Sequence, residues 1–205
     1  MTETTDRRAR IADAALDIIA TDGIRALTHR GIDRHLGLPV GSTSYYFRTK
    51  RDLLVATVGH LTDRSRRAFT DSQPEPQAPN TDAGIAEIAH GIAIYVDGLL
   101  ADRARDIRAR YALTLEMVHD KQIQAALAVS LFSRERAVGL TRLLGTGDPE
   151  QDAADLIALL EGLVFDRTVG ARALEGPVPG TAECIAALAA PIAKALTRPC
   201  AVDES

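Results

Sequence analysis

A chain of 205 residues with 46% hydrophobic side chains has room for one compact domain, or for a small domain fused to a larger one, around a sizeable core. No apolar run approaches the ~20 residues that span a bilayer, the opening MTETTDRRAR lacks a signal peptide's apolar stretch, and Cys184 and Cys200 form no CxxC or Cys/His cluster, so the expectation is a cytoplasmic protein with reduced thiols, no membrane partner, no metal and no cofactor. The net charge of −4 is uneven: residues 1–67 carry 12 Lys+Arg against 8 Asp+Glu, or +4, and residues 68–205 carry 12 against 20, or −8.

Ile11, Ala14, Ala15, Ile18 and Ile19 recur at helical spacing and predict an amphipathic helix over 6–21, ended by Gly23. A second helix starts at Thr28, whose hydroxyl suits an N-cap, and stops at Gly37, a residue that tolerates the left-handed backbone of a helix end. Pro39 suits the first turn of a third helix, and residues 40–47 provide two turns. Thr49 with Asp52 gives a start resembling a capping box for a fourth helix over 50–69, about 30 Å long. Two short helices around a tight turn, then a capped helix at the basic end of the chain, is a shape that places one helix in a major groove roughly 12 Å wide.

The segment LTHRGIDRHLGLPVGSTSYYFRTKRDLL at residues 27–54 resembles the helix-turn-helix of the TetR family of one-component transcriptional repressors. The likeness rests on the preceding amphipathic helix, Asp22-Gly23, Thr28, Gly37-Leu38, Gly41, Phe47, Lys50 and Leu53-Leu54. It covers about the first quarter of the chain and is architectural beyond that. Three departures stand out. Pro39 replaces the usual small polar cap, Thr43 sits where a core apolar residue is usual, and Ser44 replaces the usual aromatic, with Tyr45 and Tyr46 after it. The resemblance implies that Thr28, His29 and Arg30 lie at the groove edge. It places Val40, Gly41, Ser42 and Ser44 near base edges, and Tyr45, Tyr46 and Lys50 at phosphates. It also implies a helix-turn-helix DNA-binding domain at 1–49 and a helical ligand-binding and dimerisation domain at 50–205.

The residues leave alternatives beside those roles. Either tyrosine could be core packing instead of a phosphate contact, and adjacent helical positions point about 100° apart, so the two should differ. Arg30 could be a solvated arginine, although its fork matches guanine O6 and N7.

SQPEPQAP marks a loop over 72–80. Further helices are predicted over 81–100, 103–118, 121–144, 149–172 and 181–196, with Asp148 capping the fourth of these ahead of Pro149. No alternating strand pattern competes, so the fold class is all-α. The last two helices are apolar on more than one face, through Leu156, Leu160 and Leu163, then Ile185, Leu188 and Ile192. That width fits either burial inside the body or pairing with a second copy, and the resemblance favours a homodimer. Tyr95, Tyr111, Thr114, Met117 and Phe132 are large or polar among alanines and leucines, a composition that can line a small-molecule pocket.

The five histidines include no i,i+4 pair and no HExxH, and no GxSxG, P-loop or GxGxxG occurs, so neither a metal site nor an enzyme is indicated. The expected function is a ligand-responsive DNA-binding regulator, a repressor on a near-palindromic double-stranded operator released by a small hydrophobic effector. A helical carrier of hydrophobic molecules and a small helical enzyme are the rival readings, but the first gives no reason for the capped turn or the charge split, and the second needs a nucleophile or metal that the residues do not offer.

Overall fold

The computed structural model describes residues 2–71 and 82–197, and among these the chain is helical without a strand. The predicted 72–80 loop and Cys200 lie outside the described residues. In chain order the helices are α1 (Thr2–Asp22), α2 (His29–His35), α3 (Ser42–Tyr46), α4 (Lys50–Asp71), α5 (Asp82–Asp102), α6 (Ala104–Glu116), α7 (Lys121–Ala128), α8 (Arg134–Leu143), α9 (Pro149–Thr168), α10 (Arg172–Glu175) and α11 (Ala182–Leu196), with a 3-10 turn at Ile24–Ala26.

The chain packs as two compact units. One takes in the chain up to Asp71 together with Arg105–Leu131. Its core holds the predicted α1 stripe of Ile11, Ala14, Ala15, Ile18 and Ile19 against Leu27, Ile32, Phe47, Leu53, Leu54, Val58 and Leu61, and Ala109, Leu113, Ile123 and Leu127 of α6 and α7 complete it. The other unit comprises residues 82–104 and 132–197. There α11 lies along α5 and also meets α9, while α8 packs on α9.

Four elements differ from their sequence expectation. The helix predicted over 40–47 is the single-turn α3, because Gly41 takes the left-handed conformation (φ 93°) and keeps Val40 and itself outside the helix. The stretch 121–144 is broken into α7 and α8. Arg110 of α6 donates to the Leu127 carbonyl (3.2 and 3.1 Å) and to Ser130 Oγ (2.8 Å), Ser130 donates to Leu127 (2.7 Å), and Ser133 then caps α8 by accepting from Arg136 N. The 149–172 helix stops at Thr168 and is followed by the separate turn of α10, where the Arg172 guanidinium pairs with Asp166. Finally, Gly84–Asp102 is long and apolar enough to cross a membrane, which contradicts the expectation that no run is. Alanines and glycines between its aliphatic residues masked that length. Its Ala89, Ala93, Val96, Leu99 and Leu100 are buried on one face, and its buried Asp97 accepts from Gly180 N with both oxygens at 3.0 Å, which ties that face into its own unit.

Candidate nucleic-acid interface

Thr28 caps α2, accepting from Gly31 N at 2.9 Å, and Gly37 ends the α2 segment with φ 64°. A Cβ on Gly31 would sit 2.9 Å from the Thr28 hydroxyl, so this glycine leaves the cap its space. Thr49 and Asp52 form a reciprocal capping box at the start of α4: Asp52 N donates to Thr49 Oγ1 (3.0 Å) and Thr49 N to Asp52 Oδ2 (3.2 Å).

A helix of five residues cannot hold itself together, and Gly41 offers α3 no side-chain cap. The support comes from elsewhere in the fold. Asp33 of α2, only 2% exposed, accepts from Gly41 N with one oxygen (2.7 Å) and from Thr43 N (2.8 Å) and the Thr43 hydroxyl (2.6 Å) with the other. The two sequence departures at Pro39 and Thr43 thus share one explanation: the lost polar cap is supplied from α2, and the polar residue in a core position is its partner. Burial pushes the Asp33 carboxyl up, but hydrogen bonds from Thr43 and Gly41, with the His29 ring nearby, outweigh burial and hold it below the usual carboxylate value.

At the other end of α3, Arg8 of α1 donates to the Tyr46 carbonyl (2.7 Å) with its guanidinium 4.2 Å over the Phe47 ring, and His29 Nε2 bonds the Phe47 carbonyl at 2.8 Å. These donors lie where the helix dipole is negative. Sequence reading missed Asp33 and Arg8. The only available signals were indirect: an acidic residue inside α2, ten positions before an out-of-place threonine.

The expected DNA-facing residues fall into groups. Thr28, Arg30, Val40, Gly41, Ser44, Tyr45 and Lys50 are exposed, Ser42 and Tyr46 are half-buried, and His29 is half-buried with a ring nitrogen committed to Phe47. The tyrosines divide as their spacing implies, Tyr46 leaning on the core and Tyr45 standing 81% exposed, their rings edge to face at 5.1 Å. Lys50 Nζ reaches the Ile24 carbonyl at 3.5 Å. Arg48, exposed between α3 and α4, is a further cation that the sequence reading did not select.

The remaining residues named from sequence lie in different places. Tyr95 and Phe132 pack edge to face at 6.2 Å in one unit, and burial pushes the Tyr95 phenol up to about 12, against the nearby Arg103 charge. Tyr111 and Thr114 lie along α6 in the other and Met117 just after it, Thr114 donating to the Arg110 carbonyl and Met117 bordering a depression shared with Arg51, His119 and Lys121. Of the residues expected at a dimer interface, Leu156 and Leu160 are 5% exposed and Leu188 and Ile192 are 0% exposed within a single chain. They pack in the core of their own unit, which leaves little of them for a second copy to cover. Leu163 and Ile185 remain half-exposed.

An N-terminal helix-turn-helix with a braced third helix, joined to a helical body, is the construction of a DNA-binding regulator. Residues 11–57 match the description of bacterial regulatory proteins of the tetR family, and residues 83–197 match a tetracyclin repressor-like C-terminal domain. The chain belongs to the TetR family of transcriptional regulators. It is 26% identical over 179 residues to the HTH-type transcriptional regulator BetI of Escherichia coli, covering 84% of this chain and 87% of that protein. Its fold matches a TetR family member from Streptomyces coelicolor A3 (TM-score 0.65, 23% identity, 94% and 97% of the two chains). It also matches the multidrug binding protein EbrR complexed with ethidium (TM-score 0.64, 23% identity, 94% and 97%).

Proposed function

We propose that this regulator is a homodimeric repressor that binds a near-palindromic operator through its two α3 helices and leaves it when a small hydrophobic molecule binds the C-terminal part of the chain. Residues 1–49 read the DNA, and residues 50–205 carry the dimer contact and the effector. The observation that carries the DNA half of this reading is the bracing of α3 by Asp33, Arg8 and His29, with Arg30, Ser44, Tyr45 and Lys50 exposed around it. A fixed helix presents its side chains to base edges at a constant register, and the flanking cations meet phosphates. Two such helices spaced by about one turn of DNA, ~34 Å, make the operator two-fold symmetric.

For release, the effector must favour a state that cannot hold that spacing. The α4 helix, about 33 Å long by its 22 residues, leads out of the DNA-reading segment and is the mechanical element. Ion pairs tie it to its neighbours. Arg105 of α6 bonds Asp13 (2.9 Å) and Asp17 (2.7 Å) of α1, while Arg64 of α4 bonds Asp13 (2.8 Å) and Asp106 (3.2 Å). A shift of α6 is therefore felt at both α1 and α4. EbrR, whose fold this chain shares, is complexed with ethidium, an aromatic cation, which supports a small-molecule effector here.

The test is fluorescence anisotropy with the DNA flanking the protein's own coding region, at near-physiological salt, against random duplex competitor. Nanomolar binding that survives competitor is expected. Binding that competitor abolishes would favour the carrier reading.

A further inference from the structure

The DNA-reading turn carries no side chain of the usual purine-reading kind. From Pro39 to Tyr46 there is no Arg, Lys, Asn or Gln, so neither the guanine fork nor the adenine amide pair is available from α3 or its lead-in. Thr43 is fully buried, and the Ser42 hydroxyl donates to the Pro39 carbonyl at 2.6 Å. What faces outward is Pro39, Val40, Gly41, Ser44 and Tyr45, and the aliphatic side chain of Val40 is 81% exposed.

An aliphatic side chain so exposed gains nothing from the folded chain. Its position is nevertheless fixed, because the next residue, Gly41, is held through its N–H by the buried Asp33 at 2.7 Å. A rigidly presented apolar group on a DNA-reading turn needs an apolar partner, and the major-groove edges of the bases offer one such group, the C5 methyl of thymine.

We propose that Val40 is a specificity-determining residue that packs on a thymine methyl in each half-site, so that the operator holds a T·A pair at that position and discriminates against cytosine and uracil there. This rests on the reading of α3 as the base-reading element. Arg30 then supplies the guanine contact, and Tyr45, whose phenol can reach a phosphate oxygen, has a separate role.

The experiment begins by selecting binding sites for the full-length wild-type protein from a random duplex pool. Each thymine of the selected site is then replaced singly by deoxyuridine, which removes the methyl and leaves every hydrogen-bonding edge intact. One symmetric pair of positions should weaken binding about fourfold per half-site, the weight of one buried methylene-sized group, and about fifteenfold together. In V40A that penalty should shrink at that pair while the effects of other substitutions persist, a coupling that general weakening would not produce. The side chain is exposed, so the thermal midpoint of V40A should match wild type. A wild-type protein indifferent to deoxyuridine at every position would overturn the proposal, as would an undiminished penalty in V40A. Failure to select any site would instead overturn the base-reading role of α3, and this proposal with it.

Discussion

At the residue scale, Asp33 decides whether α3 exists as a reading surface. Removing its carboxylate leaves two backbone N–H groups and a hydroxyl without acceptors, at about 1–3 kcal/mol for each buried group left unmade and partly relieved by water, so Asp33→Ala should cost about 2–4 kcal/mol. Because the folded carboxyl is held below its unfolded value of ~3.9, its stabilising effect is present above that pH and lost as pH falls through the folded value. Thermal melts from pH 7 to pH 3 should therefore show a steeper acid loss in wild type than in Asp33→Ala, and parallel curves would count against the network. Arg30 and Lys50 are both exposed, and their proposed base and phosphate roles make different predictions. Arg30→Ala should cost about 1–3 kcal/mol and relax preference at one base, whereas Lys50→Ala should weaken every sequence alike and lower the salt slope by about 1. Equal loss on specific and random DNA for Arg30→Ala would sink its base-reading role.

At the scale of elements, burial revises how a dimer could form. The apolar width of α9 and α11 is legible in the sequence, but which side faces inward is not, because both faces carry leucine or isoleucine. With Leu156, Leu160, Leu188 and Ile192 inside the unit, a glutamate at Leu160 buries an unpaired charge and should unfold it. A glutamate at Leu163 or Ile185, half-exposed on the same helices, should instead leave a folded monomer. Sedimentation velocity with circular dichroism distinguishes the two results. A dimer that survives both Leu163→Glu and Ile185→Glu would place the interface elsewhere. The broken 121–144 segment makes a similar point. Its periodicity runs through Leu127 and Leu131, and it is a side chain from another helix, Arg110, that captures the Leu127 carbonyl and stops α7.

At the scale of the whole molecule, the +4 and −8 halves should give binding that falls steeply with salt even though the protein is acidic overall. An effector coupled by ~2–3 kcal/mol would lower operator affinity by tens to over a hundredfold, and linkage requires the operator to lower effector affinity by the same factor. Titrating one effector by calorimetry with and without saturating operator measures that reciprocity. Two unequal factors would mean that the ligand acts outside the two-site scheme.

The sequence by itself determined the helical class, the placement of most helices and the helix-turn-helix. Those follow from local causes: periodic apolar residues, capping side chains at Thr28, Thr49 and Asp148, and glycines that accept positive φ. It also exposed the anomalies at Pro39 and Thr43 without resolving them. Tertiary structure decided the rest, because the deciding partners are distant in the chain. Asp33 and Arg8 brace a one-turn helix that has no cap of its own, Arg110 ends α7, and α6 and α7 join the core that carries the reading helix. Periodicity reports which residues want burial, and only packing reports what buries them.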